Sequence, residues 1–498
     1  MTDPPGADTG AGVVRRSRNG PRRTRLGWLA LGLLVLGAAL AASGWVLGSP
    51  AQQDAGATES PGPEPAAAPL LSARRVPSFT TARVPVRAMA AAVQPVALDA
   101  PPQSCIVVGS GTGDLFTHRS GEALVPASNQ KLLTAAAALD VLGPDATLET
   151  RFVAPGRLEG GVLRGDLFMV GGGDPLLTTE GYQARQSNGR FPDTDLEAVA
   201  DDLVESGIAE ITGSVVGDAS RYDQERAVQG WPARWTQNGT VAPLSALLVN
   251  DAWLVDPVTG EGPGGPAPDP AQHAAAVMER LLRDRGVRIG GAARSGTAPS
   301  EATELAAIDS LPVTGLVGEL LAFSDNTTAE LLLKEIGLEA SGAGTTEAGI
   351  AAITSWAEDS GIAEPGWAVA DGSGLSSSNR LTCTMLATVL REDGPEGPIA
   401  AGLAVPGSPG TLDDRFLRGD MSERLRAKTG TLNEVAALSG WVLTAREQLL
   451  DFEFLINTDQ RRVNGDDLAL QQRLLAALLD QPVAPPVQEA GPGGSAGG

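Results

Sequence analysis

Histidine, lysine and cysteine are scarce in this chain of 498 residues, and these scarcities exclude several classes of site. The two histidines, His118 and His273, lie near no G-x-S-x-G motif, which argues against a serine–histidine–aspartate hydrolase. No cluster of cysteines, histidines and acids has the spacing of a zinc site, so we expect neither a metal nor a cofactor. The formal net charge of −23 argues against a nucleic-acid partner.

Lysine is the rarer basic residue, because only Lys131, Lys334 and Lys428 are lysines among 37 basic residues. Lys131 follows Ser128 by three positions, at the start of an Ala- and Leu-rich run that predicts a helix. Residues three apart share a helix face, so the hydroxyl and the amine should meet at the positive end of the helix dipole. Lysine can release its proton and arginine cannot, and a lysine of lowered pKa can activate a serine.

Two further triplets follow in the chain, Ser324-Asp325-Asn326 and Lys428-Thr429-Gly430. Each of the three motifs has an ordinary explanation by itself: a helix start with an exposed lysine, a helix cap, and a glycine kink in a strand. All three together, in this order, are typical of penicillin-binding proteins and serine β-lactamases. The order of the motifs therefore predicts acyl transfer to a serine.

The N-terminal region has the pattern of a membrane or export segment. Residues 1–25 carry six arginines against two aspartates, and residues 26–47 form a run of 22 positions without a charge. Such a run can span a bilayer as a helix, with the arginines on the cytoplasmic side. A cleaved signal peptide is the alternative, because Ala39-Leu40-Ala41 resembles a cleavage site. Either interpretation places the bulk of the chain outside the cytoplasm, held by a single-pass anchor or exported.

Several local patterns bear on the core. Cys105 and Cys383 are the only cysteines; outside the cytoplasm they could pair, but two separately buried residues are the favoured interpretation. Residues 435–444 and 448–456 predict an antiparallel hairpin with the Lys428 triplet at its start. Gly430 would let a substrate lie flat along the strand edge. Residues 211–216 and 252–255 each predict a strand.

From about residue 71 to residue 480 the chain resembles the D-alanyl-D-alanine carboxypeptidase/endopeptidases, the class C low-molecular-mass penicillin-binding proteins. The 196 positions from Ser128 to Ser324 match the large insertion of that family and are too many for an ordinary β-lactamase. Four flanking stretches also look like the family: Gly171-Gly172-Gly173-Asp174-Pro175, Pro243-Leu244-Ser245-Ala246-Leu247, Asp371-Gly372-Ser373-Gly374-Leu375-Ser376 and Pro406-Gly407-Ser408-Pro409-Gly410-Thr411-Leu412. The resemblance implies an α+β fold, with an antiparallel sheet flanked by helices, a helical lobe and a β-rich insertion.

Composition and resemblance together predict seven segments. Residues 48–70 and 481–498 are rich in Pro, Ala, Gln and Gly without periodicity, which is typical of disordered chain. The predicted segments are an Arg-rich cytoplasmic segment (1–25), an anchor or signal (26–47), a linker (48–70), the first part of the peptidase domain (71–154), the insertion (155–300), the second part of the peptidase domain (301–480) and a tail (481–498).

The resemblance also implies the steps of the reaction. Ser128 is acylated by the penultimate D-Ala carbonyl, and Lys131 takes its proton. Ser324, coupled to Lys428, passes a proton to the leaving amine. Asn326 holds the substrate amide and Lys131.

The resemblance further implies how the substrate is bound. Thr429 and Thr431 bind the terminal carboxylate, and Lys428 adds positive potential there. The N–H groups of Ser128 and Thr431 form the oxyanion hole. Independently of the resemblance, two cations near one serine should depress each other's pKa.

Two positions bear on how the stem-peptide side chain is recognised. Asp218 looks like the family's acid for the amino end of that side chain. Ser377 stands where the family often has an arginine, which puts recognition of the side-chain carboxylate in doubt.

The partners implied are a peptidoglycan stem peptide and β-lactam inhibitors. A β-lactamase with the same motifs is one alternative function, and a catalytically silent peptidoglycan-binding protein is another.

Overall fold

The computed structural model describes residues 78–111, 113–185 and 192–480. The predicted segments 1–25, 26–47, 48–70 and 481–498 lie outside these residues. None of the helices in the described part has the length and apolar character that a membrane crossing needs.

The described chain contains both helices and strands, with an uninterrupted series of helices from Val313 to Arg424. The helices are α1 Ser78–Asp99, α2 Gln130–Val141, α3 Glu180–Gln183, α4 Leu196–Glu205, α5 Arg234–Gln237, α6 Pro270–Asp284, α7 Val313–Phe323, α8 Asn326–Ser341, α9 Thr346–Asp359, α10 Cys383–Asp393, α11 Pro398–Gly402, α12 Met421–Arg424 and α13 Gly465–Leu479. The strands are β1 Gln103–Gly109, β2 Asp114–His118, β3 Glu149–Ala154, β4 Leu158–Glu159, β5 Val162–Leu163, β6 Leu167–Val170, β7 Leu177–Thr178, β8 Thr194–Asp195, β9 Glu210–Ile211, β10 Val215–Asp218, β11 Arg288–Ile289, β12 Arg294–Ser295, β13 Thr303–Asp309, β14 Leu425–Leu432, β15 Val435–Leu443 and β16 Leu449–Asn457.

The central sheet is antiparallel and has the strand order β14-β15-β16-β1-β2. Strands β15 and β16 form the predicted hairpin, and the Lys428 triplet lies on its own strand, β14, at one edge of this sheet. Because successive side chains of a strand point to opposite faces, β1 contributes to two cores. Cys105 and Val107 pack with the helical lobe, whereas Ile106 and Val108 pack in the core that includes residues of α1 and α13.

The helical lobe brings α2 and α8 together. Leu132 and Leu133 of α2 pack in one core with Leu332 and Leu333 of α8. These helices begin at the two motifs that carry Ser128 and Asn326, so their packing fixes the distance between the motifs.

The chain between α2 and α7 holds a second sheet, of order β12-β10-β6-β3-β13, a four-stranded sheet of order β11-β9-β5-β4 and the two-stranded sheet β7-β8. Strands β3 and β13 pair with each other and lie just outside the predicted insertion bounds, 155 and 300. The division of the chain at those two positions therefore stays a prediction.

Two local predictions in this region are wrong. Residues 252–255 form no strand, because Asn250, Asp251 and Ala252 all have positive φ values of 50–55°, which an extended strand does not tolerate. The run 211–216 is split into β9 and β10, with residues 212–214 between them.

The prediction of two separate cysteines is also wrong. Cys105 of β1 and Cys383 of α10 form a disulfide, with a Cα–Cα distance of 6.0 Å across 278 positions of sequence. Both side chains are fully buried, so the pattern of two small buried residues was correct while their pairing was missed. The bond joins the sheet to the helical lobe.

Candidate active site

Ser128 lies in a single 3-10 turn, Ala127–Asn129, that leads directly into α2. Ala127 has a φ of 47°, a left-handed conformation that non-glycine residues rarely adopt and that is often found at functional sites. Ser128 is half-buried between fully buried neighbours, Ala127 and Asn129. The turn thus presents one hydroxyl to the surface from a buried, strained backbone.

Lys131 is fully buried one turn after Ser128. Its Nζ lies 2.7 Å from Asn326 Oδ1, 2.7 Å from the carbonyl oxygen of Ser373 and 3.3 Å from Ser128 Oγ. A neutral amine has two N–H donors and one lone pair. In the neutral amine, the two shorter contacts use both donors and leave the lone pair for the Ser128 hydroxyl, whereas an ammonium donates to Ser128 Oγ as well.

The environment of Lys131 makes this neutral form more accessible than in a free lysine, and the ammonium predominates only below about pH 8. Burial lowers the pKa of Lys131 from 10.5 to about 8, against the opposing effect of the acids Asp325, Asp371, Glu330 and Glu319. Desolvation is therefore the main cause of the lowered pKa. Mutual depression by two cations, which the sequence led us to expect, applies to Lys428 alone: burial and then Lys131 hold its pKa well below 10.5.

Ser324 and Lys428 form a second serine–lysine pair. Lys428 Nζ lies 2.7 Å from Ser324 Oγ and donates to the carbonyl of Thr429 at 2.9 Å. Ser324 ends α7 with a φ of 62°, again in the left-handed region. Lys428 is fully buried, and Ser324 is half-buried. This pair can hold or move a proton at the Ser324 hydroxyl.

Asn326 connects the site to the insertion. Its Oδ1 accepts from Lys131, and its Nδ2 donates to the carbonyl of Thr240 at 2.7 Å. Asp325 caps the helix that Asn326 begins, since its side chain accepts from the N–H of Thr328 at 2.7 Å. The orientation of the Asn326 amide is therefore fixed at both ends.

Gly430 allows β14 to approach the Ser128 turn. A Cβ at this position would lie 3.0 Å from the Ser128 nitrogen and 3.2 Å from the Ala127 Cβ. Contact with the turn that carries Ser128 thus requires the glycine, whatever lies along the strand edge. Thr429 is buried and Thr431 is exposed on the same strand.

Asp218 is not joined to this cluster by any hydrogen bond or ion pair among the described residues. Its two carboxylate oxygens accept from the backbone N–H groups of Ser220 at 2.8 Å and Ala298 at 2.7 Å. Its predicted role at the stem-peptide side chain stays a prediction.

Three further groups of the site were missed by the sequence interpretation. The Ser373 carbonyl contacts Lys131, and the Glu330 carboxylate accepts from the N–H groups of Gly372 and Ser373. Trp231 donates from Nε1 to Asp371 at 3.0 Å. Asp371 and Ser373 lie in a stretch that the sequence analysis singled out without giving it a role. Glu330 had a signal because it lies one helical turn after Asn326 and shares its face.

One acidic group could hold a cation by its spacing. Oxygens of Asp223, Glu225 and Glu347 lie within 4.8 Å of one another. Asp223 already accepts from the Lys334 ammonium at 2.8 Å, and the two glutamates are exposed. We therefore give this group no part in the site.

Comparison with known proteins agrees with the geometry. A family model described as the D-Ala-D-Ala carboxypeptidase 3 (S13) family matches residues 90–268 and 266–477. The chain is 32% identical over 416 residues to a carboxypeptidase of Mycobacterium tuberculosis, covering 80% of this chain and 85% of that one. It is 30% identical over 430 residues to a D-alanyl-D-alanine carboxypeptidase of Actinomadura sp. (strain R39), covering 70% and 76% respectively.

Solved structures confirm the predicted fold class. Penicillin binding protein 4 from Haemophilus influenzae superposes with a TM-score of 0.64 at 20% identity, over 77% of this chain and 98% of that one. The same protein complexed with a β-lactam gives a TM-score of 0.57 at 21% identity. At this identity the likeness shows the fold alone.

Proposed function

Because the chain belongs to the D-Ala-D-Ala carboxypeptidase 3 (S13) family, we propose that it hydrolyses peptidoglycan stem peptides through an acyl-enzyme on Ser128. One observation carries the proposal. Lys131 Nζ lies 2.7 Å from both Asn326 Oδ1 and the Ser373 carbonyl oxygen, so the neutral amine uses its two N–H groups there and keeps its lone pair for the Ser128 hydroxyl. A buried amine of lowered pKa, so oriented, is a general base for a serine.

In the acylation step, the Ser128 oxygen attacks the carbonyl of the penultimate D-Ala while its proton passes to Lys131. The backbone N–H groups of Ser128 and Thr431 stabilise the resulting oxyanion, a contribution worth about 3 kcal/mol for each donor. Asn326 orients both Lys131 and the substrate amide.

In the second half of acylation, the C–N bond breaks and the leaving amine takes a proton from Ser324, which Lys428 replenishes. The Ser324–Lys428 contact of 2.7 Å supports this transfer. Water then attacks the ester and gives one proton through Ser324 to Lys428, while Lys131 returns its proton to the Ser128 oxygen as the ester bond breaks, so that the peptide acid leaves and all groups regain their starting state. The leaving amine is the terminal D-Ala or, in a cross-link, the amine of a neighbouring stem peptide.

Thr429, Thr431 and Lys428 bind the terminal carboxylate of the substrate. Burial and then the neighbouring Lys131 hold the pKa of Lys428 well below its usual value of 10.5 in the free protein. An opposite charge within a few ångströms favours the ammonium form, so the carboxylate itself raises that pKa as it binds. β-Lactams carry a carboxylate at the matching position and acylate the same serine.

We further propose that the described part of the chain acts outside the cytoplasm, on the cell wall, and that residues 26–47 anchor it in the membrane or direct its export. The buried disulfide Cys105–Cys383 supports the extracytoplasmic location, since such bonds persist in oxidising compartments. The Arg-rich segment before the uncharged run supports the orientation.

The test is the release of free D-alanine from a synthetic stem peptide that ends in D-Ala-D-Ala. The wild-type chain should release it, and Ser128→Ala should not. Ser341→Ala, which removes an exposed serine at the end of α8, is the matched control and should keep full activity. A folded wild type that leaves the peptide intact would contradict the proposal.

A further inference from the structure

Glu330 is a buried acid that the reaction described above does not use. It lies on α8, fully buried, one turn after Asn326. Oε1 accepts from the N–H of Ser373 at 2.7 Å, and Oε2 accepts from the N–H of Gly372 at 3.2 Å. Among the described residues it forms no ion pair. A buried carboxylate without a cationic partner is costly, so an apolar residue would serve mere packing better.

The backbone that Glu330 holds is the one that holds the general base. The Ser373 carbonyl accepts from Lys131 Nζ at 2.7 Å, so Glu330 binds the N–H and Lys131 binds the C=O of the same residue. Thr134, on the same helix as Lys131, donates to the Gly372 carbonyl at 2.7 Å. The peptide unit between Gly372 and Ser373 is thus held by a hydrogen bond from α2 and by another from α8.

We propose that Glu330 is a positioning residue for the acylation of Ser128: by binding the N–H groups of Gly372 and Ser373, it aims the Ser373 carbonyl at Lys131. The inference rests on the proposed function and names the residue that fixes the backbone contact of its general base, Lys131. Through this link, the amine lone pair stays directed at the Ser128 hydroxyl. The residue touches no substrate atom and acts only through the backbone that it orients.

Asp371 holds the other end of the same loop and does not replace Glu330. It accepts from the N–H groups of Gly374 and Ser376 and from Trp231 Nε1. None of these bonds reaches the Ser373 N–H. Glu330 therefore has its own part of the loop.

The charge of Glu330 gives a second signature, which acts near and above pH 8, because burial and then Asp371 raise the pKa of Glu330 to about 8. The charged groups that act on Lys131 are Glu330 on α8, Asp325 at its cap, Asp371 on the loop and Glu319 on α7, and Lys428 lies on β14. Each of the four acids raises the pKa of Lys131, so removing one lowers that pKa. Acylation needs the neutral amine, and its rate rises with pH through that pKa. Glu330 ionises over the same pH range as Lys131, so its charge delays the last part of the rise, and loss of that charge lets the rise finish at lower pH.

The experiment measures benzylpenicillin acylation rates from pH 5 to 10 for the full chain and for Glu330→Gln. Glutamine keeps one acceptor but turns an amide N–H₂ toward a backbone N–H. We expect the maximal rate to fall about tenfold to a hundredfold, as for a catalytic group displaced by about 1 Å, with the rise displaced to lower pH. A variant that merely lost stability would keep its rise at the wild-type pH.

Glu335→Gln is the matched control, because Glu335 is a buried acid of the same helix that binds Arg221 and Tyr222 instead of the loop. It should lose stability and keep both the maximal rate and the position of the rise. If Glu330→Gln does not fold, Glu330→Asp keeps the charge on a shorter side chain, and we expect a lowered maximum with the rise unmoved.

The outcomes separate this inference from the function on which it rests. A wild type that is not acylated contradicts the proposed function itself. An active wild type with a Glu330→Gln profile that matches it contradicts the positioning role alone, as does a wild-type maximum for Glu330→Asp.

Discussion

At the scale of single residues, the hydrogen bonds around Lys131 decide what the site can do. Lys131 Nζ makes three hydrogen-bond contacts, to Asn326, Ser373 and Ser128. Only a neutral amine can accept a hydrogen bond from the Ser128 hydroxyl. An ammonium would instead donate to Ser128 and hold the hydroxyl oxygen without taking its proton. Because burial lowers the pKa of Lys131 to about 8, the amine changes from the donating ammonium to the accepting neutral form near that pH.

The acylation rate should accordingly rise with pH and level off above about pH 8, because the base is competent once it has lost its proton. Lys131→Arg should lower the maximal rate by about 10²–10⁴-fold, since arginine keeps its proton throughout this range. The measurement is the rate of benzylpenicillin acylation against pH. A rise near pH 4, or an active arginine variant, would contradict the assignment of the base.

Gly430→Ala should slow acylation about tenfold to a hundredfold, because its Cβ would press on the Ser128 nitrogen from 3.0 Å and displace the turn. Gly465→Ala is the control: a Cβ there meets no atom within 4 Å. The acylation rates and melting temperatures of both variants would be compared with wild type. Equal rates for all three proteins would show that the approach of β14 to the turn is unimportant.

At the scale of elements, two helices and one strand bring the three motifs together. Helix α2 presents Lys131, α8 begins at Asn326, and edge strand β14 carries Lys428. Local sequence predicted the two helices from their apolar periodicity, but it placed Lys428 at the start of the hairpin and did not predict a separate strand for it. It could not predict that the Ser373 carbonyl holds Lys131, because a backbone acceptor has no residue-type signal.

The missed disulfide has a similar cause. The sequence around Cys105 and around Cys383 predicts a small buried residue at each position. Only the packing of helix α10 on the sheet brings the Cα atoms of the two cysteines to 6.0 Å from each other. The predicted strand at 252–255 does not form because Asn250, Asp251 and Ala252 have three consecutive positive φ values. The local sequence did not require this conformation.

The cap of α8 should matter for both stability and rate. Asp325→Ala should cost about 1 kcal/mol in the free energy of unfolding, since the Thr328 N–H loses its acceptor, and should also slow acylation because Asn326 begins this helix. Thr345→Ala removes the equivalent cap of α9, where Thr345 accepts from the N–H of Ala348. It should cost about as much stability and leave acylation unchanged.

Urea unfolding and acylation rates would be measured on both cap variants. If Thr345→Ala slowed acylation as much as Asp325→Ala did, the effect would come from general loosening and the specific role of the α8 start would be refuted.

At the scale of the whole molecule, the active site lies between the edge of the central sheet and the helical lobe, so their relative placement matters. The disulfide joins these two parts through buried positions. The double variant Cys105→Ala/Cys383→Ala should lose about 2–5 kcal/mol of unfolding free energy. Denaturant unfolding of the oxidised wild type, the reduced wild type and the double variant measures it. An equally stable double variant would show that packing alone holds the sheet and the lobe together.

The most direct test of the account is the intact mass of the full chain after incubation with benzylpenicillin. We predict one stable adduct of the mass of the drug on the wild type and none on Ser128→Ala, because the hydroxyl activated by Lys131 is the nucleophile. Fast hydrolysis of the drug without an adduct would favour a β-lactamase instead. An adduct that forms equally on Ser128→Ala, or a folded wild type with neither adduct nor hydrolysis, would contradict the central claim.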